Sequence, residues 1–205
     1  MKRIFDLTFS FLGLIICFPI FIVVPILVKL DSKGPVFFRQ DRVGKNFKSF
    51  KIYKFRTMRH DLEEKGPMIT VSGDRRVTEV GRFLRQYKFD ELPQLINVLK
   101  GEMSFVGPRP EIIEYVQLFK EDYKKLLRMR PGITDPASIK YSDEESLLSA
   151  SGNFEEEYTK KILPGKIDLS LRYVEQHNIM TDLKIILKTL LKARRYKSPQ
   201  LPSRT

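Results

Sequence analysis

The chain has 205 residues, of which 42% are hydrophobic and 30% charged, and its 37 Lys and Arg against 25 Asp and Glu give a formal net charge of +12. The length suits one compact domain with an appendage. A single cysteine excludes a disulfide-stapled module, and with only two histidines a zinc site is a poor candidate. Carboxylates are therefore the expected ligands of any metal. So basic a chain suits an anionic partner, which can be nucleic acid, an acidic membrane surface or a phosphorylated substrate.

The run from Leu7 to Val28 carries no charged side chain and is long enough to cross a hydrocarbon core. Pro19, in the middle of the run, predicts a broken helix. Lys2 and Arg3 precede the run and more basic residues follow it, so the positive-inside bias assigns both ends to the cytoplasm. These observations favour a re-entrant helix over residues 1–33. A proline-containing helix that spans the membrane stays the alternative.

The remaining pattern predicts a mostly helical α/β domain over 34–195, associated with the membrane, and a polar tail over 196–205. The predicted elements follow in chain order: a strand within 34–44, an extended segment over 47–58, a loop or lid over 61–78, two helices over 81–101 divided at Pro93, one amphipathic helix over 111–129, and a last helix that begins at an N-cap on Thr181.

The last predicted helix is amphipathic. Its apolar face consists of Leu183, Ile186, Leu187, Leu190 and Leu191, and its basic stripe of Lys184, Lys188 and Lys192. This pattern is typical of a helix that lies in an anionic membrane interface. A helix that packs its apolar face into the core and leaves the lysines in water has the same pattern.

Asp90 and Glu91 are the best catalytic candidates. They stand at the predicted start of a helix, among basic residues, so both carboxylates can face one cleft and one hard metal ion. The alternative is that they only cap the helix.

Two basic elements suit phosphate groups. Arg109 is held between Pro108 and Pro110, which favours a rigidly presented guanidinium, although a plain turn has the same sequence. A run of basic residues also alternates with aromatic ones: Lys45, Lys48, Lys51, Lys54, Arg56 and Arg59. After a membrane segment such a run favours anionic lipid, and elsewhere it is typical of a surface for single-stranded nucleic acid.

Taken together, the broken helix and the strings KIYKFRTM, DELPQLINVLKGEMSFVGPRPE and RPGIT stand in the order found in the bacterial sugar transferase family. The chain resembles the small monotopic phosphoglycosyl transferases of that family. The resemblance implies transfer of a sugar 1-phosphate from a UDP-sugar to undecaprenyl phosphate with release of UMP. It places this first membrane step of polysaccharide or glycoconjugate assembly at the cytoplasmic face of the bacterial inner membrane.

The resemblance also implies roles for individual residues. Asp90 matches the nucleophile that forms an aspartyl-phosphosugar intermediate, and Glu91 matches the carboxylate that holds Mg²⁺ with it. Pro19 matches the proline at which the membrane helix breaks. The predicted substrate-binding residues are Lys54, Arg56, Arg85 and Arg109.

The chain departs from the family after Thr134. Where many members continue with a segment like GLAQVNGR, this chain has DPASIKYSDEESLL, so the nucleotide contacts and the sugar are not carried over. The expected partners are a UDP-sugar, undecaprenyl phosphate and anionic lipid, without nucleic acid, and a homodimer stays open. The rival hypothesis is a non-enzymatic, membrane-tethered module that binds anionic lipid or nucleic acid.

Overall fold

A computed structural model of the chain describes residues 1–60, 70, 73–144, 148 and 153–193. This part is mostly helical and contains two small two-stranded sheets, which confirms the mostly helical class. Most of the predicted lid over 61–78 and the whole tail over 196–205 lie outside the described residues.

Two helices begin the chain: α1 spans Lys2–Ile16 and α2 spans Phe18–Asp31. They are bent by 60° relative to each other. Pro19 lies in the first turn of α2, where a missing N–H is harmless because first-turn N–H groups have no partner within their own helix. Within the described ranges no single helix has the length and apolarity to cross a membrane, whereas the bent pair has both when its two halves are taken together.

An antiparallel hairpin follows. Strand β1 (Phe37–Val43) pairs with β2 (Ser49–Phe55), and Phe37 stands opposite Phe55. Both extended predictions are confirmed. The buried Phe55 ring packs with residues of α2, so the hairpin lies against the second half of the bent pair.

The segment after the lid forms two helices, as Pro93 predicts. Helix α3 spans Glu79–Gln86 and α4 spans Gln94–Lys100, with a 3₁₀ turn over Phe89–Glu91 between them. Gly101 ends α4 in the left-handed conformation, with φ of 84°, which glycine adopts without a steric cost.

The single helix predicted over 111–129 is wrong. The structure has α5 (Ile113–Leu118) and α6 (Lys120–Leu126), separated by a non-helical Phe119. The break lets both short helices bury side chains in one core cluster, which a straight helix could not do as well. On either side of this pair, β3 (Ser104–Val106) and β4 (Gly132–Thr134) form a short parallel sheet.

The C-terminal half holds α7 (Pro136–Lys140), α8 (Phe154–Glu157), a π turn over Tyr158–Ile162, α9 (Leu163–Gln176) and α10 (Ile179–Ala193). No prediction covers 158–176. Pro164 lies in the first turn of α9, directly after the π turn, where a missing N–H is tolerated. The predicted N-cap at Thr181 is also wrong, because Asn178 Oδ1 accepts the Thr181 N–H at 2.9 Å and α10 begins two residues earlier.

Polar contacts tie the first turn of α1 to the domain. Lys2 forms an ion pair with Asp182 of α10 and donates to the Val106 carbonyl at 2.9 Å. Arg3 donates to carbonyls at the end of α4. Asp6 Oδ1 accepts from Ser104 Oγ at 3.0 Å and from the next backbone N–H at 3.1 Å. The start of the bent pair is therefore fixed on the domain.

The other end of the pair is fixed on the same domain. Arg56, at the end of β2, donates to the Val28 carbonyl at 3.1 Å and to the Ser32 and Lys33 carbonyls at 2.6 Å each. Val28 lies in the last turn of α2, and Ser32 and Lys33 directly follow the helix, so Arg56 binds the chain where α2 ends. Both ends of the bent helix pair are therefore attached to the same folded domain, so the chain leaves the domain along α1 and returns to it along α2.

Candidate active site

The backbone turns sharply just before the two carboxylates. Helix α3 ends at Gln86, and Lys88, in the left-handed conformation with φ of 58°, stands directly before the 3₁₀ turn over Phe89–Glu91. Asp90 is buried by this turn, and its Oδ1 has no hydrogen-bond partner within the described chain. A buried carboxylate oxygen without a partner is costly, so it marks a group that is held for a purpose other than stability.

Glu91 differs from its neighbour because two cations hold it. Its Oε1 accepts from Lys54 Nζ at 2.7 Å and from Arg109 Nη2 at 2.9 Å. The turn, the second strand and the Pro-Arg-Pro loop therefore meet at one carboxylate. Three of the predicted site residues are brought together here, although they are far apart in the sequence.

The pKa values of Asp90 and Glu91 are shifted in opposite directions. Burial, and then the charge of Glu91, raises the pKa of Asp90 above its usual range. Burial alone would also raise the pKa of Glu91, but Lys54 and Arg109 outweigh it and hold that pKa well below its usual range. The pKa of Lys54 is lowered by burial, while the Glu91 charge raises the pKa of Arg109. The acid pair thus consists of Glu91, whose ionised form two cations stabilise, and Asp90, whose ionised form is destabilised by burial.

Asn97 holds the strand that carries Lys54 against α4. Its Oδ1 accepts the Tyr53 N–H at 3.0 Å, and its Nδ2 donates to the Lys51 carbonyl at 2.8 Å and to Glu102 at 2.7 Å. The amide is completely buried and uses both of its ends. Sequence reasoning missed this residue, since a lone Asn in an amphipathic helix gives no signal of its own.

Arg85 approaches the site from α3. Its Nε donates to Thr57 Oγ1 at 2.9 Å, and its charge opposes the raised pKa of Asp90. Gly81, one turn earlier, allows this approach: a Cβ there would lie 2.0 Å from the Thr57 carbonyl oxygen. Gly81 is a second positioning residue that the sequence analysis did not identify.

The Pro-Arg-Pro loop is held in place by Glu111, the residue that follows it in the sequence. Glu111 is buried, accepts from Tyr158 Oη at 3.0 Å and forms an ion pair with Arg42 at 3.4 Å. Arg42 Nη1 also lies 3.4 Å from the Pro110 carbonyl. The loop therefore rests on β1 and on the π turn, which fixes where it presents Arg109.

Arg56 is the predicted substrate-binding residue that the structure places elsewhere. Only 2% of its surface is exposed, and its guanidinium binds carbonyls at the end of α2. In the structure Arg56 attaches the bent pair to the domain, and its predicted contact with substrate stays a prediction. The basic run does not form one binding face either, because Lys54 is turned inward to Glu91 while Lys48 and Lys51 are exposed.

The carboxylate pair suits Mg²⁺ in one respect. Asp90 Oδ1 is an unpartnered buried oxygen, and Mg²⁺ is typically held by one or two carboxylates together with substrate phosphates. No cluster of three or more His, Cys, Asp or Glu side chains that could hold a metal ion occurs in the described part of the chain. Asp90 and Glu91 thus fit a metal that arrives with a phosphorylated substrate better than a cage made by protein alone.

Comparison with known proteins decides the family. The model of the family described as bacterial sugar transferase matches residues 1–195. The chain belongs to the bacterial sugar transferase family. It is 39% identical over 196 residues to the undecaprenyl-phosphate glucose phosphotransferase of Komagataeibacter xylinus, with 92% of this chain and 35% of that protein covered. The predicted family is therefore confirmed.

Two further relatives show the range of lengths and names. The exopolysaccharide production protein PSS of Rhizobium leguminosarum bv. phaseoli is 39% identical over 199 residues, which cover 93% of this chain and 94% of that protein. The UDP-N-acetylgalactosamine-undecaprenyl-phosphate N-acetylgalactosaminephosphotransferase of Aeromonas hydrophila is 35% identical over 193 residues, which cover 93% of this chain and 43% of that protein. The chain spans less than half of the two longer relatives.

Exposed apolar side chains cover the two elements that were predicted to meet lipid. On the bent pair Ile16, Phe18 and Leu30 are 76%, 62% and 80% exposed. On α10 the leucines of the predicted apolar face, Leu183, Leu187, Leu190 and Leu191, are exposed as well. The core contact of α10 is made by Ile185 and, from the predicted apolar face, by the half-buried Ile186, while the four leucines stay outside the core.

Proposed function

We propose that this chain is a phosphoglycosyl transferase that moves a sugar 1-phosphate from a UDP-sugar to undecaprenyl phosphate and releases UMP. The observation that carries the proposal is the unequal acid pair, in which Asp90 keeps a free buried oxygen while Lys54 and Arg109 hold Glu91. Family membership and the printed names of the relatives support the same substrates.

In the first step, an oxygen of Asp90 attacks the phosphorus that carries the sugar. A bond forms between the carboxylate and that phosphorus, the bond to the bridging oxygen breaks, and the electron pair leaves with UMP. A nucleophile with a raised pKa retains its reactivity, because fewer contacts stabilise its ionised form. In the second step, a phosphate oxygen of undecaprenyl phosphate attacks the same phosphorus and displaces Asp90.

The basic residues around the pair make this encounter feasible. A diphosphate repels a carboxylate, and Lys54, Arg85 and Arg109 lower that repulsion and stabilise charge on the transferring group. Glu91 fixes two of these cations, so it organises the site besides its predicted contact with metal. Mg²⁺, held by Asp90 and Glu91, would supply neutralisation of the diphosphate charge.

The attachment of the bent pair supports a location at a membrane surface. Its two ends are held by the same domain, and its exposed apolar residues lie between those ends, which suits a re-entrant helix that dips into one leaflet. The exposed leucine face of α10 would rest on the same surface. A site placed there meets a water-soluble donor and a lipid-embedded acceptor in turn. The proposed location is the cytoplasmic face of the bacterial inner membrane.

A trapping experiment tests the covalent step. The purified chain with Mg²⁺ and a UDP-sugar, without undecaprenyl phosphate, should release about one UMP per active site and carry a sugar phosphate on the peptide that contains Asp90. With the acceptor present, the kinetics should be ping-pong. A panel of UDP-sugars in this assay would identify the donor.

Matched variants make the assay decisive. Asp90→Asn should give neither UMP release nor a labelled peptide, whereas Asp41→Asn, which alters an exposed acid that pairs with Lys51, should behave as the unaltered chain does. Sequential kinetics with no labelled protein would favour direct attack by the lipid phosphate instead. Absence of UMP release from every UDP-sugar would leave the rival hypothesis of a binding module.

A further inference from the structure

A cavity of about 320 Å³ lies where the first turns of α1 meet the residues after α6 and the start of β3. Basic side chains dominate its lining: Lys2, Arg3, Lys45, Arg128, Arg130 and His177. Asp6 is the acid among its lining residues, which include neither the acid pair nor the cations that surround that pair. The cavity is thus distinct from the candidate active site.

The turn between β1 and β2 brings Lys45 to this cavity. Asn46 and Phe47 have left-handed φ values of 55° and 60°, and the Asn46 N–H donates to the Leu127 carbonyl at 2.8 Å. This contact places the hairpin turn against the residue before Arg128. Two exposed cations from distant parts of the sequence, Lys45 and Arg128, therefore stand at one opening, and neither has an acidic partner among the described residues.

The described residues neutralise only part of the positive charge of the cavity. Arg3 and Arg130 direct their hydrogen bonds to backbone carbonyls, which carry no net charge. Asp6 turns its Oδ1 to Ser104 and a backbone N–H, and Lys2 has Asp182 as its partner. The first N–H groups of α1 add to the positive potential, since Met1 provides no side-chain cap. An anion with several acceptor oxygens would compensate this charge.

We propose that this cavity binds the phosphate group of an anionic phospholipid. The surroundings favour a lipid as the source of the phosphate. Ile4 of α1 is 70% exposed beside Arg3, and Met180 and Leu183 are exposed on α10 next to Asp182, the partner of Lys2. A phosphate held between these elements would place its acyl chains against apolar side chains that are otherwise in water. This proposal rests on the membrane attachment proposed above.

The two histidines of the chain provide a direct test, because His177 lines the cavity and His60 does not. The full chain, labelled with ¹⁵N-histidine, is placed in phosphatidylcholine nanodiscs that contain increasing phosphatidylglycerol. We expect the ring resonances of His177 to move to saturation, while His60 responds only to the change in surface potential. Arg128→Gln should raise the half-saturating phosphatidylglycerol fraction about tenfold, as expected for the loss of one charge-assisted phosphate contact.

The control is Arg172→Gln, which removes the same charge from an exposed arginine that pairs with Asp168 and lies outside the lining. Lys45→Gln should repeat the effect of Arg128→Gln. Equal shifts of both histidines, or equal effects of the Arg128 and Arg172 variants, would mean general surface charge and overturn the proposal. Saturation of His177 by inorganic phosphate but not by phosphatidylglycerol would overturn the lipid source.

Soluble dihexanoyl-phosphatidylglycerol separates this proposal from membrane attachment. If the chain failed to enter nanodiscs, the attachment would be contradicted, yet titration of the short-chain lipid in water would still probe the cavity. A shift of His177 with dihexanoyl-phosphatidylglycerol and none with dihexanoyl-phosphatidylcholine would support the site. No shift with either lipid would contradict it.

Discussion

Two buried aspartates, Asp90 in the candidate site and Asp6 on the first helix of the bent pair, have opposite environments. Asp90 is 7% exposed, and its Oδ1 lacks a partner in the described structure. Asp6 is 2% exposed, and its Oδ1 accepts two hydrogen bonds, from Ser104 and from a backbone N–H. Both are removed from water to a similar extent, so the difference lies in what the fold supplies to each carboxylate.

The comparison separates structural from reactive acids. A buried carboxylate whose hydrogen bonds are formed joins two parts of the chain and stabilises the fold, without a part in the reaction. A buried carboxylate oxygen without a hydrogen-bond partner destabilises the fold. Such an oxygen is useful only if a bound ligand or metal contacts it. On this basis Asp6 attaches α1 to β3, while Asp90 serves the chemistry, and each expectation can be tested by substitution.

The largest expected effect is the loss of activity in Asp90→Asn. The amide keeps the shape but not the nucleophile, so UMP release should fall on the order of 10³-fold or more. The thermal midpoint should stay unchanged or rise, because a strained buried charge is removed. Differential scanning fluorimetry and the UMP assay on the same sample check both parts. Near-normal turnover would contradict the nucleophile assignment.

A smaller but still large effect is expected for Arg109→Ala. Removing one of the two cations on Glu91 and a phosphate contact should lower turnover about 10²-fold. Lys124→Ala is the control, since Lys124 is half exposed and pairs with the nearby Glu121. Equal turnover of the two variants would show that the Pro-Arg-Pro loop is only a structural turn.

For Asp6→Ala we expect a loss of stability and no loss of activity. The buried hydroxyl of Ser104 and the N–H of Phe105 would lose their acceptor, which should lower the free energy of unfolding by about 2–3 kcal/mol. At this chain length each kcal/mol shifts the midpoint by about 2–4 °C. Turnover per folded molecule should be retained well below that midpoint. A loss of turnover without a loss of stability would contradict the purely structural role.

The sequence predicted the acid pair better than its surroundings. Asp90, Glu91, Lys54 and Arg109 stand in motifs whose residue types already indicate phosphate chemistry, and the structure brings them together. Arg56 has the same chemical character, but its role depends on which way a strand residue points and on what α2 leaves unpaired. A pattern of basic residues does not contain that information.

Other features depend on contacts between distant segments. Asn97 and Gly81 are ordinary residues within helical patterns, and their roles appear only when β2 and Thr57 are placed against them. The sequence pattern predicts no element over 158–176, where the structure continues the helical path from the π turn into α9. This continuation depends on tertiary packing, which local propensity does not encode.

The smallest effect is expected for Pro19→Leu. A proline within a helix costs about 3 kcal/mol or more, so its removal favours a straight α1–α2 helix by roughly that amount. A straight span would carry Lys2 and Asp6 away from the domain and through the membrane, at about 2.5–3.5 kcal/mol for each charge near the bilayer centre. It would also break the ion pair with Asp182 and the hydrogen bonds of Asp6. The contacts therefore outweigh the proline.

Accessibility labelling in intact cells can measure this balance. With Cys17 replaced by serine and a cysteine placed directly after Met1, Pro19→Leu alone should leave nearly all of the N-terminus inaccessible from the periplasm. Adding Lys2→Ala and Asp6→Ala should make part of the population accessible, because the attachment at one end is then gone. If Pro19→Leu alone exposed most of the N-terminus, the proline rather than the buried acid at Asp6 would determine the return of the chain. The polar contacts of Lys2 and Asp6 would then form as a consequence of the helix break and would not themselves determine the topology.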